Sequence, residues 1–263
     1  MRIQESRVEA YASGLVRETA ESDGGQPAIP PDPEAAAAFA ICMNAINFGS
    51  GWWPTIRKRP GHSGYGTMAA GVERRFASRG HWTPEELATI DASEIAAVVG
   101  QDPEHPLMAQ FGAALRDVGA HLLDEHEGRY LRLIEASDSV PDLAQLLAGW
   151  DSFADVSRYE GRRVPFFKRA QLAAADLHRA GVADLAGIER LTAFADNLVP
   201  HVLRVDGLLS LNPALKAKVE AEELLVHGSP EEVELRACAV HAVELIVAAA
   251  GGGLTPAEID SAL

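Results

Sequence analysis

The pattern of apolar and polar positions along this chain is helical in period for most of its length. From Phe166 the apolar residues Phe166, Ala170, Ala173, Leu177 and Ala180 recur at spacings of four, three, four and three, which predicts one amphipathic, half-buried helix ending near Gly181. From Ala237 to Ala250 the chain is apolar on every side apart from His241 and Glu244, the pattern of a central helix surrounded by others. His241 and Glu244 lie three apart, so they are expected to hydrogen-bond each other. Helix-start chemistry also recurs. Thr83-Pro84-Glu85-Glu86, Ser229-Pro230-Glu231-Glu232 and Thr255-Pro256-Ala257-Glu258 each combine a hydroxyl cap, a proline at the first helical position and a Glu three residues after the cap. Asp91-Ala92-Ser93-Glu94 is a start of related kind, and Asp32-Pro33 precedes an alanine-rich run from Glu34 to Phe48. Alternating β-branched runs of strand length are missing, so the expected fold is all-α, a single compact multi-helix domain.

Breaks in this pattern mark the organisation of the chain. Glu21-Ser22-Asp23-Gly24-Gly25 and the prolines Pro27, Pro30, Pro31 and Pro33 interrupt any helix, which makes residues 1–33 a leading segment and linker and 34–263 the helical domain. A second irregular zone runs from Phe48 to Tyr65 and is a candidate pocket wall. Its aromatics Phe48, Trp52 and Trp53 suit either stacking on a flat heterocycle or anchoring a core.

Composition narrows the partners. With 263 residues, 47% of them hydrophobic, the chain can bury a real core, which argues against disorder. Its 23 Lys and Arg against 38 Asp and Glu leave a net charge of −15, which opposes sequence-independent binding to phosphate polymers. A long nucleic acid is therefore a poor partner. Cys42 and Cys238 make no disulfide framework and Met1–Tyr11 carries charges where a secretion signal needs an apolar core, so a cytoplasmic home is expected. The apolar run near Leu245–Ala250 ends in three glycines, too short to span a membrane.

Most standard chemistries lack their signatures. There is no His-Glu-x-x-His or paired Cys-x-x-Cys, and His121 and His126, five apart, read as surface histidines rather than metal ligands. Gly-x-Ser-x-Gly, the Walker phosphate loop and the dinucleotide fingerprint are absent. Carboxylate chemistry remains, which suits hydrolysis through a cationic transition state such as a glycosyl oxocarbenium ion. In the segment Leu191–Arg204, Asp196 stands in strongly apolar company, either as a satisfied structural cap or held ready for chemistry. Lys168 and Arg169 open the amphipathic helix, where the helix dipole disfavours cations unless a bound phosphate or a carboxylate offsets them. Glu232 and Arg236, four apart, read as a surface ion pair.

Five segments then resemble one family in order and spacing. Asn44-Ala45-Ile46-Asn47-Phe48, Phe166-Phe167-Lys168-Arg169-Ala170-Gln171, Leu191-Thr192-Ala193-Phe194-Ala195-Asp196, Gly228-Ser229 and Glu232-Val233-Glu234-Leu235-Arg236-Ala237-Cys238 resemble the queuosine salvage proteins, the queuosine 5′-phosphate N-glycosylase/hydrolases. The resemblance implies an all-helical fold akin to helical DNA glycosylases and hydrolysis of queuosine 5′-monophosphate to queuine and ribose 5-phosphate. It implies a small nucleotide as partner and neither a metal nor an organic cofactor. It assigns Asp196 of the Phe-x-Asp motif as the catalytic carboxylate and Phe194 as lining the base pocket. Ile259-Asp260-Ser261-Ala262-Leu263 fits the beginning of a late family segment that carries a base-binding carboxylate, so Asp260 becomes the base-recognition candidate, with Ser261 beside it. Asn47, Phe48 and Trp53 complete the candidate substrate contacts.

Physical chemistry agrees with these roles. A 7-deazaguanine presents adjacent N–H donors that one carboxylate accepts together, as Asp260 would. Asp196 would act at the sugar carbon, either attacking it or stabilising the oxocarbenium ion and guiding water. Lys168, Arg169, His201 and Arg204 flank the matched motifs and are the candidate phosphate-holding cations. Two departures from the family pattern bear on substrate fit. The chain ends at Leu263 where relatives continue with Trp, and its first histidine, His62, follows rather than precedes the first matched helix. The competing expectations are a glycosylase of the same architecture acting on another nucleoside or nucleotide, and a helical protein that binds a nucleobase without turnover.

Overall fold

Each of the five helix starts read from the sequence opens a helix. The computed structural model describes residues 1–18 and 30–263; Glu21–Gly25 and Pro27 of the expected linker lie outside the described residues. In chain order the elements are β1 (Arg2–Ile3), α1 (Val8–Glu18), α2 (Pro33–Ala45), α3 (Gly64–Arg79), α4 (Pro84–Thr89), α5 (Ala92–Val99), α6 (Pro106–Glu125), α7 (Tyr130–Glu135) and α8 (Val140–Leu147). Then come β2 (Val156–Tyr159), β3 (Arg162–Pro165), α9 (Lys168–Arg179), α10 (Leu198–Val205), β4 (Leu209–Ser210), α11 (Pro213–Glu220), α12 (Pro230–Ala249) and α13 (Pro256–Ala262). The fold is mainly helical, as the periodicity predicts. Thr83 at α4, Asp91 at α5 and Thr255 at α13 form reciprocal capping boxes with the Glu three residues on. Asp32 caps α2 and Ser229 caps α12, although Glu232 turns to the Gly228 amide instead of back to its cap.

The described residues divide into two units. The first draws on residues 1–18, 155–171 and 187–263. Here α12 packs against α1, α10 and α13, with Val8, Ala12, Val199, Leu203, Val243, Ile246 and Ile259 in one buried cluster. This α12 is not apolar and covered all round. Its buried face is Val233, Arg236, Ala239, Ala242, Val243 and Ile246, while His241 and Glu244 are exposed. Alanines on the outer face carry too little apolar area to demand cover, so hydropathy overstated the burial. Four short strands also depart from the all-helical expectation. The hairpin β2–β3 turns through Glu160 and Gly161, both at positive φ (47° and 78°), the geometry of a two-residue primed turn. Its strands carry Arg158, Arg162 and Arg163 and are four residues long, so no alternating apolar signal marks them. The Phe166 stripe is buried as expected at Phe166, Ala170, Ala173 and Leu177. The helix itself starts only at Lys168, because Phe167 adopts a left-handed φ of 49°.

The second unit comprises residues 30–154 and 172–186. Glycines let its helices approach: a Cβ on Gly71 of α3 would meet the Val98 carbonyl oxygen of α5 at 2.6 Å, and one on Gly119 of α6 would meet the Ala88 nitrogen of α4 at 2.5 Å. In the Phe48–Tyr65 loop the aromatics serve as anchors. Phe48 packs edge-on against Phe111 at 5.1 Å between ring centroids, and the Trp53 ring lies over Gly64. The loop does wall a cavity of about 300 Å³, through Thr55 and Arg57 together with Gln101, Asp102, Glu104 and His105. His121 and His126 are not plain surface histidines. His126 is 7% exposed and His121 stacks flat on Trp150 at 4.8 Å, because that indole packs against both rings. Among the described residues no helix is long and apolar enough to cross a membrane.

Candidate active site

The segment Leu191–Asp196 has neither a helix nor a sheet ladder to satisfy its backbone, so its amides and carbonyls must find partners elsewhere. The Ala195 amide turns back to the Ala193 carbonyl at 2.9 Å, and three side chains from elsewhere hold the segment. Gln171 Oε1 accepts from the Thr192 amide at 2.9 Å, Asp260 Oδ1 accepts from the Phe194 amide at 2.8 Å, and Arg236 Nε donates to the Ala195 carbonyl at 2.8 Å. Leu191, Ala193, Phe194 and Ala195 are buried, which delivers Asp196 to the start of α10 on an anchored stem. There Asp196 Oδ1 accepts from the amides of Leu198 at 2.7 Å and Val199 at 3.1 Å. Its Oδ2 faces Lys168 Nζ at 3.8 Å. The cap and the charged pair are thus built on the same carboxylate, one oxygen each.

Lys168 stands at the first position of α9 with its side chain 16% exposed, against 26% for Asp196. Burial pushes its ammonium below the ordinary lysine range; the Asp196 and Asp260 carboxylates pull it back up, and Arg169 and Arg236 push it further down. The anionic partner that a cation needs at a helix start is therefore the Asp196 carboxylate. The Lys168 amide in turn donates to Asp155 Oδ2 at 3.2 Å.

That same Asp155 oxygen pairs with Arg236 Nη2. Arg236 is 8% exposed, with Nη1 on Glu232 Oε1 at 3.2 Å and its guanidinium carbon 4.0 Å from the Phe166 ring centroid. The Glu232–Arg236 pair is therefore not on the surface, as the i to i+4 spacing alone suggested. Arg236 is buried and Glu232 half-buried, because Arg236 occupies the inward stripe of α12, and a buried guanidinium demands the carboxylate partners it has. Asp155 was missed at the sequence level, and nothing in its local context marks it.

The structure brings Asp196, Phe194, Lys168 and Asp260 together in the first unit. Arg169 follows Lys168 and is half-buried; on α10, His201 is exposed and Arg204 half-buried. Ser261 is exposed and its hydroxyl donates to the Ala257 carbonyl at 2.9 Å. Asn47, Phe48 and Trp53 belong to the second unit. A cavity of about 260 Å³ opens beside β3 and α12, bounded by Phe166, Thr192, Ala237 and Glu244. Neither this cavity nor the one at Thr55 and Arg57 is lined by Asp196.

The sequence profile of the family described as queuosine salvage protein matches residues 28–256. A curated relative from Sphaerobacter thermophilus, named queuosine 5′-phosphate N-glycosylase/hydrolase, is 33% identical over 240 residues, which cover 86% of this chain and 74% of the relative. Proteins of the same name from Bos taurus and Mus musculus are 32% and 31% identical, over 81% of this chain and 67% and 68% of their own lengths. The profile match reaches across Lys168, Asp196 and Arg236 alike, and with relatives above 30% identity over most of its length the chain belongs to the queuosine salvage protein family.

Proposed function

We propose that this protein hydrolyses the N-glycosidic bond of queuosine 5′-monophosphate, releasing queuine and ribose 5-phosphate. Its relatives carry that activity in their names, and the observation that supports it here is the Asp196–Lys168 pair at the start of α10. In the reaction the C1′–N bond breaks with its electrons going to the base, and water gives its hydroxyl to C1′ and its proton to the base. A 7-deazapurine has carbon where a purine has N7, so protonation there cannot assist departure of the base. Stabilisation must come from the sugar side, and a carboxylate held at C1′ provides it, as nucleophile or as counter-charge to the oxocarbenium ion. Asp196 is the residue assigned to that role. One of its oxygens is fixed by two helix amides, so little reorganisation is needed when positive charge develops on the sugar.

Asp260 is assigned to the pairing edge of the base and Phe194 to the wall beside it. Lys168, Arg169, His201 and Arg204 are assigned to the 5′-phosphate, with Lys168 shared between phosphate and Asp196. Ser261 is assigned a lesser contact with the substrate. Water is the only co-reactant, and the strongly acidic chain favours a small nucleotide in a locally basic site over a tRNA.

The test is incubation of the purified protein with queuosine 5′-monophosphate and, separately, guanosine 5′-monophosphate, with released base followed by mass spectrometry. Queuine release by the parent and none by Asp196→Asn supports the reading. Equal release from both nucleotides points to a broader glycosylase. Saturable binding of either nucleotide without release makes it a binding protein.

A further inference from the structure

We propose that Arg236, paired with Asp155, is a positioning residue that holds Asp196 and Lys168 in mutual register for the glycosidic step. This rests on the reading of Asp196 as the catalytic carboxylate. One guanidinium reaches both members of the pair through the backbone. Its Nε binds the carbonyl of Ala195, the peptide that leads directly into Asp196, at 2.8 Å. Its Nη2 binds Asp155 Oδ2, the oxygen that also receives the amide of Lys168 at 3.2 Å. The stem of the carboxylate and the stem of the ammonium are thereby fastened to a single rigid group.

Three further contacts restrain that group and its partner. The guanidinium carbon lies over the Phe166 ring, 4.0 Å from its centroid, a cation–π contact that favours this position. Glu232 Oε1 holds Nη1 at 3.2 Å from the preceding turn of α12. The Asp155 backbone is pinned as well, since its carbonyl accepts from the amides of Phe166 at 2.9 Å and Phe167 at 3.2 Å. A buried ion pair is a poor way to gain stability, because desolvation offsets the attraction, and an apolar side chain of similar volume would serve the core of α12 as well. What the apolar substitute would lack is the directed bond to Ala195 and the shared oxygen of Asp155. Misplacement of a reacting group by about 1 Å costs on the order of 10²-fold in rate, so such tethering is the kind of contact that acts on turnover.

Two variants separate positioning from mere folding. Arg236→Lys keeps a cation beside Asp155 but loses the Nε bond to Ala195. The double variant Asp155→Asn with Arg236→Gln removes both charges of that pair together, so neither is left inside without the other, and Glu232 keeps the Gly228 amide at 3.1 Å. For each, kcat and KM for queuosine 5′-monophosphate are measured beside the melting temperature, with Asp196→Asn in parallel. The expected result is a parent-like melting temperature in at least one of the two, with kcat lower by about 10²-fold and KM within about twofold. A kcat that stays at the parent value in Arg236→Lys, or that follows the melting temperature in both variants, overturns the proposal. If Asp196→Asn is inactive while the two variants turn over normally, only the positioning role falls. If Asp196→Asn is as active as the parent, the reading of the site falls and the positioning role with it.

Discussion

Lys168 Nζ stands 3.8 Å from Oδ2 of Asp196, while Oδ1 of the same carboxylate holds the first two amides of α10. The division of labour between the two oxygens gives a clean experiment. Asn at position 196 keeps an oxygen for the helix amides and loses the charge. Asp196→Asn is therefore expected to keep the α10 cap, to lose about 1–3 kcal/mol because Lys168 is left without its carboxylate, and to lose at least about 10³-fold in kcat. Asp196→Ala loses the charge and the cap together, adding a stability loss of about 1 kcal/mol. Urea unfolding and queuine release, run side by side, check both. An Asn variant with parent-like kcat removes Asp196 from the chemistry.

The buried ammonium of Lys168 carries a pH dependence of definite sign. Its folded-state value lies below the ordinary 10.5, so between the two values the unfolded chain binds more protons than the native one, and stability rises with pH across that window. Activity is expected to move the other way, because loss of the Lys168 charge deprives Asp196 of its cation. The alkaline limb of kcat should therefore fall at a pH below 10.5, and Lys168→Met should abolish both the limb and the stability gain. Rate profiles and unfolding curves between neutral and alkaline pH measure these together. A limb that persists in Lys168→Met belongs to another group.

Asp260 has a structural duty that can be separated from base recognition. Its Oδ1 holds the Phe194 amide at 2.8 Å, so Asp260→Ala leaves that buried donor unpaired and is expected to cost about 1–3 kcal/mol. Asp260→Asn retains an acceptor oxygen and should keep the fold. If the carboxylate also reads the base, this variant raises KM by about tenfold or more with the melting temperature unchanged. A KM equal to the parent's confines Asp260 to the Phe194 tether.

Close helix approach in the second unit depends on Gly119, where a Cβ would meet backbone atoms of α4 at 2.5 and 2.7 Å. Backbone cannot rotate away as a side chain can, so Gly119→Ala is expected to cost about 1–3 kcal/mol. Gly14 in α1 has nothing within 4 Å of its Cβ position, and Gly14→Ala should add about 0.5–1 kcal/mol by relieving backbone entropy. Urea midpoints for the two variants should move in opposite directions. A neutral Gly119→Ala would show that α4 and α6 can separate freely.

What the sequence determined by itself is what depends on neighbours within one helical turn. Asp32, Thr83, Asp91, Ser229 and Thr255 open helices because each cap needs only the amides two or three residues on. The motif resemblance likewise selected Asp196, Lys168 and Asp260, which the fold brings to one place. Part of the Arg236 story was also written in the chain: Val233, Arg236, Ala239, Val243 and Ile246 follow one helical stripe, and an arginine within an apolar stripe signals a buried charge. The i to i+4 spacing to Glu232 masked it as a surface pair. Only the tertiary structure decided which partners that charge would meet. Asp155 lies 81 residues away and the Ala195 carbonyl 41 residues away. The burial of His126 depends in the same way on Trp150, which packs across it. Local chemistry starts a helix, but the cost of an unpaired buried charge is met only by groups that folding brings in from distant parts of the chain.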